Sequence, residues 1–449
     1  MSSRHHHQQG GIQRQDGTGP RGATSLTLAL MIAALLGALG GVAFDASPVQ
    51  AAVSETSSGN QGTVPAEPGQ RVPTRGPIGP DPSTRQKVPL DLVGGLINGT
   101  PIFPGDFADP YLLAEPNALY IYATNTQTAN IPVTQIQIGN ILNGDYLGDA
   151  LPDLPSWTAK GFQWAPSVWA RPDDQFVMYY ATAAPPPPAF EPRRMCISRA
   201  VANNPAGPFV DDSTGPMICP LSEGGAIDPS IFIDGSTPYL LWKSDGNCCN
   251  LPTNIYSQQL SPDGLSVVGE PSLLITNDQD WEGDVVEGPS MVKVGSTYEL
   301  FYSANNWNSD DYAVGIALCE TVTGPCTKPN DSAWMTSAKG YTGPGGQEFF
   351  SNPGGVWMVH HGFLPGQAGT PDGQRRLYLD LLKYTEGDPI PARIGTQEAV
   401  SKVLQFGAIV LAGLVLGGLA IVLAVRWRRR WRKRQHADLH AGASATAER

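Results

Sequence analysis

Residues 226–242 read AIDPSIFIDGSTPYLLW: an acid and a proline, a few apolar residues, a turn at Asp234-Gly235, then an alternating strand that opens on Tyr239. Asp228 stands eleven residues ahead of Tyr239, and the same frame recurs along the chain. Asp109 stands eleven ahead of Tyr120 and Glu287 eleven ahead of Tyr298, while Ala165 precedes Phe176 and Gly346 precedes Trp357 by the same count. Proline follows the marked position directly in the first three copies (Pro110, Pro166, Pro229), and Gly288-Pro289 follows it in the fourth. Each copy then turns, at Pro116-Asn117, Pro172-Asp173-Asp174, Asp234-Gly235, Gly295-Ser296 or Pro353-Gly354-Gly355. The strands YIYAT, FVMYY, YLLWK, YELFY and WMVHH follow. Their aromatic anchors are 56, 63, 59 and 59 residues apart. A repeat near sixty residues, built of several short strands, predicts propeller blades. The fold class is all-β, a five-bladed β-propeller, with one position occupied five times by Asp, Ala, Asp, Glu and Gly.

Composition agrees with a large, exported β-protein. Only 16% of the 449 residues are charged, and 51 glycines and 41 prolines supply the turns that strand-rich architecture needs. The net charge of −12 understates the acidity of the blades, because seven of the 29 basic residues lie between Arg426 and Arg434. Such an acidic surface excludes nucleic acid as a partner.

Two apolar segments set the expected location. Residues 1–51 read as a basic region and a signal peptide: Thr24 to Phe44 is uncharged behind Arg14 and Arg21, with cleavage expected after Ala51, or retention as a signal anchor. Residues 52–87 are a disordered linker rich in Ser, Thr, Pro and Gly. The propeller is placed at 88–390 and a short linker at 391–402. Residues 403–425 are uncharged and long enough at about 1.5 Å per residue to cross a bilayer. The basic stretch in the tail, 426–449, puts the C-terminus in the cytoplasm and the propeller outside, with membrane lipid as a partner of the helix. His5 to His7 precede all of this, with no fold expected around them.

All six cysteines fall in the exported part, where disulfides are allowed. Cys319 and Cys326 flank the turn Thr323-Gly324-Pro325, and Cys196 and Cys219 bracket a strand-loop-strand stretch, so each pair is expected to bond. Cys248 and Cys249 then remain, as a vicinal disulfide or as two free thiols.

In a propeller the innermost strand of each blade lines the axis, so equivalent residues face one another across one end of the channel. Like charge and partial burial raise the pKa of one such carboxyl while another stays ionised. Glycoside hydrolysis needs that division of labour.

The stretches FADPYLL (107–113), WAPSVW (164–169), AIDPSIFIDGSTPYLLW (226–242), VVEGPSMVKVGSTYELFYS (285–303), GPGGQEFF (343–350) and WMVHHGF (357–363) resemble glycoside hydrolase family 43. Its members are five-bladed propellers that act on arabinose- and xylose-containing glycans with inversion. The resemblance implies Asp109 as general base, Glu287 as general acid, and Asp228 as the residue that tunes and orients the acid. Asp109 and Glu287 are separated by three blades one way and two the other. That suits the roughly 6.5–9.5 Å an inverting pair needs. Trp164 and His361 are the candidate substrate-binding residues, whereas Trp281 and Trp307 are expected in core packing. Many members hold an axial calcium ion or water cluster with a His in the fifth-blade motif. Gly346, followed by Gln347, stands there instead, so no cofactor is required and calcium keeps only that family-level support.

The expected function is therefore a membrane-anchored extracellular glycosidase that cleaves arabinofuranosyl linkages of a polysaccharide or oligosaccharide. A xylosidase or galactofuranosidase of the same fold, and a carbohydrate-binding propeller without activity, are the alternatives. The fructan and sucrose propellers are excluded: Ile227 replaces their Arg before Asp228, and Gly288 replaces their Cys after Glu287.

Overall fold

The computed structural model describes residues 86–89 and 99–393, apart from 104, 138–142, 185–193, 339, 353–354 and 386–387. The expected signal segment, the membrane span with its basic tail, and the run of four prolines at 185–188 lie outside the described residues. Among the described residues no helix is long and apolar enough to cross a membrane.

Five antiparallel sheets follow one another along the chain, each a meander that runs outward from its first strand. Blade 1 comprises Tyr111–Glu115, Ala118–Tyr122, Pro132–Gln137 and Asn143–Asp149, with Gln86–Pro89 added at its outer edge. Blade 2 comprises Trp164–Ala170, Phe176–Ala183 and Met195–Ala202. Its outer side is completed by single bridges from Val210 and Ile218. Blade 3 holds Ala226–Asp234, Thr237–Ser244, Asn254–Leu260 and Val267–Thr276. Blade 4 holds Val286–Val294, Thr297–Ala304, Ala313–Cys319 and Cys326–Thr327. Blade 5 holds Thr342–Asn352, Gly355–Phe363, Arg376–Thr385 and Asp388–Arg393. The innermost strand of every blade contacts those of the blades before and after it, the fifth touching the first, so the ring is closed.

The hairpins form where the sequence places turn residues. Gly235-Ser236 and Gly295-Ser296 are two-residue connections whose leading glycines take φ of 64° and 62°. Glycine at that position suits the primed turns that match strand twist.

Packing between blades follows from the alternation. Each seam has its own apolar cluster, with Tyr122, Met178 and Tyr180 between blades 1 and 2, and Val177, Tyr179, Leu240 and Trp242 between 2 and 3. Leu241, Leu300 and Tyr302 fill the next seam, and Phe301, Met358 and Tyr378 the one after. Ile102, Phe107, Ile121 and Val359 close blade 5 onto blade 1. Burial of each such side chain stabilises the ring by roughly 1.5–3 kcal/mol. Two backbone hydrogen bonds reinforce the last seam, Ile102 to Leu377 at 2.8 Å and Phe107 to Arg375 at 2.7 Å.

The cysteines pair as Cys196–Cys219, Cys319–Cys326 and Cys248–Cys249. The first two bonds are the expected ones, and the open question at Cys248 and Cys249 resolves as a vicinal disulfide.

Candidate active site

The inner strand breaks register, in blades 2 to 5, at or one residue beyond the position that the repeat marks. In blades 2 to 5 two residues bulge out of the pairing between the first and second strands: Ala165-Pro166, Asp228-Pro229, Gly288-Pro289 and Gly346-Gln347. The leading residue of each takes a left-handed backbone, with φ of 44° at Ala165, 54° at Asp228, 55° at Gly288 and 57° at Gly346; Asp109, in blade 1, has 49°. Such a conformation costs a residue with a Cβ roughly 1–2 kcal/mol. Strain of this kind persists where the surroundings enforce it, and it clusters at functional sites.

The kinks correct the frame read from sequence in one blade. In blade 4 the kink is Gly288, not Glu287. Tyr298 opens its strand one residue early, and the slot eleven residues after the kink holds Glu299, which is 1% exposed and accepts the Tyr384 hydroxyl at 2.8 Å. Glu287 therefore occupies the position that Trp164, Ile227 and Gly345 hold in other blades, one residue before the kink. It still faces the axis.

A second set of residues fixes the kinks. Fifteen residues after the kink in blades 1, 3, 4 and 5, on the second strand or just beyond its end, stand Thr124, Lys243, Ser303 and His361. Each reaches into the next blade. The Thr124 hydroxyl accepts the Ala165 N–H at 3.0 Å, Ser303 accepts the Gly346 N–H at 2.9 Å, and His361 Nδ1 accepts the Asp109 N–H at 3.1 Å. Lys243 has no lone pair to offer, and the Gly288 N–H goes to Asp228 Oδ2 at 2.9 Å instead. Lys243 meets Glu287 Oε2 at 3.1 Å.

These elements surround a cavity of about 620 Å³ at the axis, with Asp109, Trp164, Asp228, Lys243, Glu287, Trp307, Tyr312 and Arg375 in its wall. The three expected acids and Trp164 thus come together. His361 is fully buried behind Asp109, stacked at 5.9 Å on Tyr312 rather than placed on the cavity wall. Trp281 is in core packing as expected. Trp307 is not: it is 47% exposed at the cavity, with the Arg375 guanidinium 4.8 Å from its ring. A flat ring on an open wall serves a sugar face, which core packing does not require.

Each carboxyl has its own surroundings. Burial favours the neutral form of Asp109, but Arg375 at 3.2 Å from both oxygens, His361, and the Thr124 hydroxyl at 2.6 Å outweigh it. Asp109 is held well below the usual carboxylate range. Asp228 is pushed up to about 8 by burial and by the charge of Glu287, with Lys243 opposing. Glu287 receives the Tyr312 hydroxyl on Oε1 at 2.7 Å and Lys243 on Oε2. Lys243 is fully buried, and its pKa is raised: burial alone lowers it, but Glu287 and Asp245 more than compensate. Asp109 stays ionised, while Asp228 favours its neutral form.

The residues do not fit a protein-held calcium ion. Calcium takes six to eight oxygen ligands, and no group of three acidic, His or Cys side chains suited to a metal occurs among the described residues. The one orphaned polar atom here, His361 Nε2, is a buried nitrogen with no hydrogen-bond partner among them.

A closed propeller with acids of opposed character at one end of its axis is suited to hydrolysis of a glycosidic bond. Residues 98–389 match the model of glycosyl hydrolases family 43, and the chain belongs to that family. It is 24% identical over 286 residues to a probable arabinan endo-1,5-alpha-L-arabinosidase A of Aspergillus terreus, covering 54% of this chain and 80% of that protein. It is also 24% identical to a beta-D-galactofuranosidase of Aspergillus niger, covering 68% and 88%. The solved structure of a thermostable family-43 glycoside hydrolase superposes with a TM-score of 0.56 at 28% identity, covering 65% and 94%.

Proposed function

We propose that the protein is a membrane-anchored extracellular arabinanase or arabinofuranosidase that cleaves its polymer in a single inverting displacement. The observation that carries this is the opposed surroundings of Asp109 and of the Glu287–Asp228 pair. Asp109, kept ionised by Arg375, takes the proton of a water that attacks the anomeric carbon. Glu287 gives its proton to the departing oxygen, and Tyr312 and Lys243 receive the carboxylate that forms. Asp228 tunes and orients the acid, a role supported by its raised pKa and by the Gly288 N–H it accepts. Trp164 and Trp307 offer ring faces to the sugar. The apolar run at 403–425 followed by the basic tail supports the anchor, and release of activity into detergent but not salt extracts tests it.

The arabinan assignment draws on the Aspergillus terreus relative, and the Aspergillus niger relative favours β-galactofuranosides as the second reading. Soluble protein is to be assayed on arabinan and on aryl α-L-arabinofuranoside, β-D-galactofuranoside and β-D-xyloside, with NMR of the first product anomer. Arabinose-containing products of inverted configuration are expected. Retention of configuration refutes the mechanism, and cleavage of the galactofuranoside alone refutes the arabinan assignment.

A further inference from the structure

The segment 245–250 folds as an arch against the cavity beside the acid. Asp245 N–H bonds to Gly225 O at 2.9 Å, and Leu251 N–H to Gly246 O at 3.0 Å. The arch sits so closely on its support that a Cβ at Gly224 would come within 2.4 Å of Asp245 O, and one at Gly246 within 2.1 Å of Pro252 O. From it Asn247 Oδ1 accepts Lys243 Nζ at 2.8 Å, and the same ammonium meets Glu287. The arch therefore stands on the side of the general acid, in blade 3, whereas Asp109 enters from blade 1 and Arg375 from blade 5.

Its two outer residues face the cavity. Asn247 and Cys248 are exposed and line it, next to Met195 and Ile227. The Asn247 oxygen is committed to Lys243, which leaves its amide NH₂ with no partner among the described residues. The vicinal disulfide is held from behind by Arg194, whose Nη1 lies 2.9 Å from Cys249 Sγ and 3.6 Å from Cys248 Sγ. A polarizable sulfur surface with a free amide donor at its edge matches the C–H face and the hydroxyls of one sugar ring.

We propose that Asn247 and the Cys248–Cys249 disulfide form the subsite for the sugar on the leaving-group side, the disulfide meeting its C–H face and the Asn247 amide its hydroxyls. This rests on the roles proposed for Glu287 and Asp109, since the departing oxygen must lie beside the acid. The bond to be broken then lies between the Asp109 side of the cavity and the disulfide.

The test compares α-1,5-arabinobiose, whose leaving group is a sugar, with 4-nitrophenyl α-L-arabinofuranoside, whose leaving group is not. Asn247→Ala and, separately, Cys248→Ser with Cys249→Ser are expected to lower kcat/KM for arabinobiose at least tenfold more than for the aryl glycoside, chiefly through KM. A phosphine reductant should reproduce the effect in the wild type and add nothing in the double serine variant. Equal losses on both substrates, as a merely structural arch gives, overturn the proposal, as does no loss on either. If the wild type cleaves neither substrate, the function proposed above falls, and the subsite with it.

Discussion

Gly346→Ala concentrates the constraints of the ring on one methyl group. At φ of 57° an alanine costs about 1–2 kcal/mol. Its Cβ would also stand 2.6 Å from His361 Nδ1 and 3.1 Å from Asp109 Cα, so the imidazole must retreat by several tenths of an ångström. Overpacking of that kind costs about 1–3 kcal/mol. A loss of about 2–5 kcal/mol in urea unfolding is therefore expected. Because His361 accepts the Asp109 N–H, its retreat also frees Asp109, the proposed base, and misplacement on the scale of 1 Å costs about 10²-fold in rate. Gly288→Ala is the control: φ is 55°, but the nearest atom to its Cβ is the rotatable Ser303 hydroxyl at 3.2 Å. That variant should lose only the backbone share, about 1–2 kcal/mol. Equal stability and equal kcat/KM in the two variants refute the claim that the blade 5 kink seats the base.

Asp109→Asn and Glu287→Gln should each reduce hydrolysis of the best panel substrate by about 10²–10⁴-fold with unchanged circular dichroism; turnover within tenfold of wild type contradicts the assigned roles. Asp228→Asn should stabilise the protein in alkaline but not in acidic solution. The folded pKa of about 8 lies above the ordinary carboxyl value of 3.8, so wild-type stability is undiminished below about pH 4 and falls as pH rises towards 8, whereas an amide does not titrate. Parallel stability–pH curves for variant and wild type are the contrary result. Trp307→Ala should raise KM several-fold with a stability change within about 0.5 kcal/mol, as its exposure implies; an unfolded variant would return Trp307 to the core.

Much of the ring was legible because blades repeat. The spacing of the aromatic strands located five inner strands, and the acids fell where those strands enter the axis. Glu287 was found through an offset that happened to suit it: Tyr298 stands one residue ahead of its slot, which moved the count from Gly288 back to the acid. With the kink placed at Glu287, the fifteen-residue interval to Ser303 is lost, and with it the pattern that joins Thr124, Lys243, Ser303 and His361. Those residues are therefore readable only once the backbone is known. Arg375 and Trp307 belong to no repeat, since they lie on connections outside the inner strands. Their roles follow from tertiary contact alone.

The closing seam has a consequence for how the chain becomes an enzyme. Asp109 lies near the start of the propeller, yet His361 and Arg375, which grip it, come from its far end, as does the Arg375 carbonyl that binds Phe107. Glu287, Asp228 and Lys243 need only blades 3 and 4. A chain emerging from the ribosome can thus assemble its proposed acid early, but its proposed base is not held in place until the fifth blade arrives. Hydrolytic competence is the last property to be gained in synthesis and, if the ring parts at that seam under stress, the first to be lost.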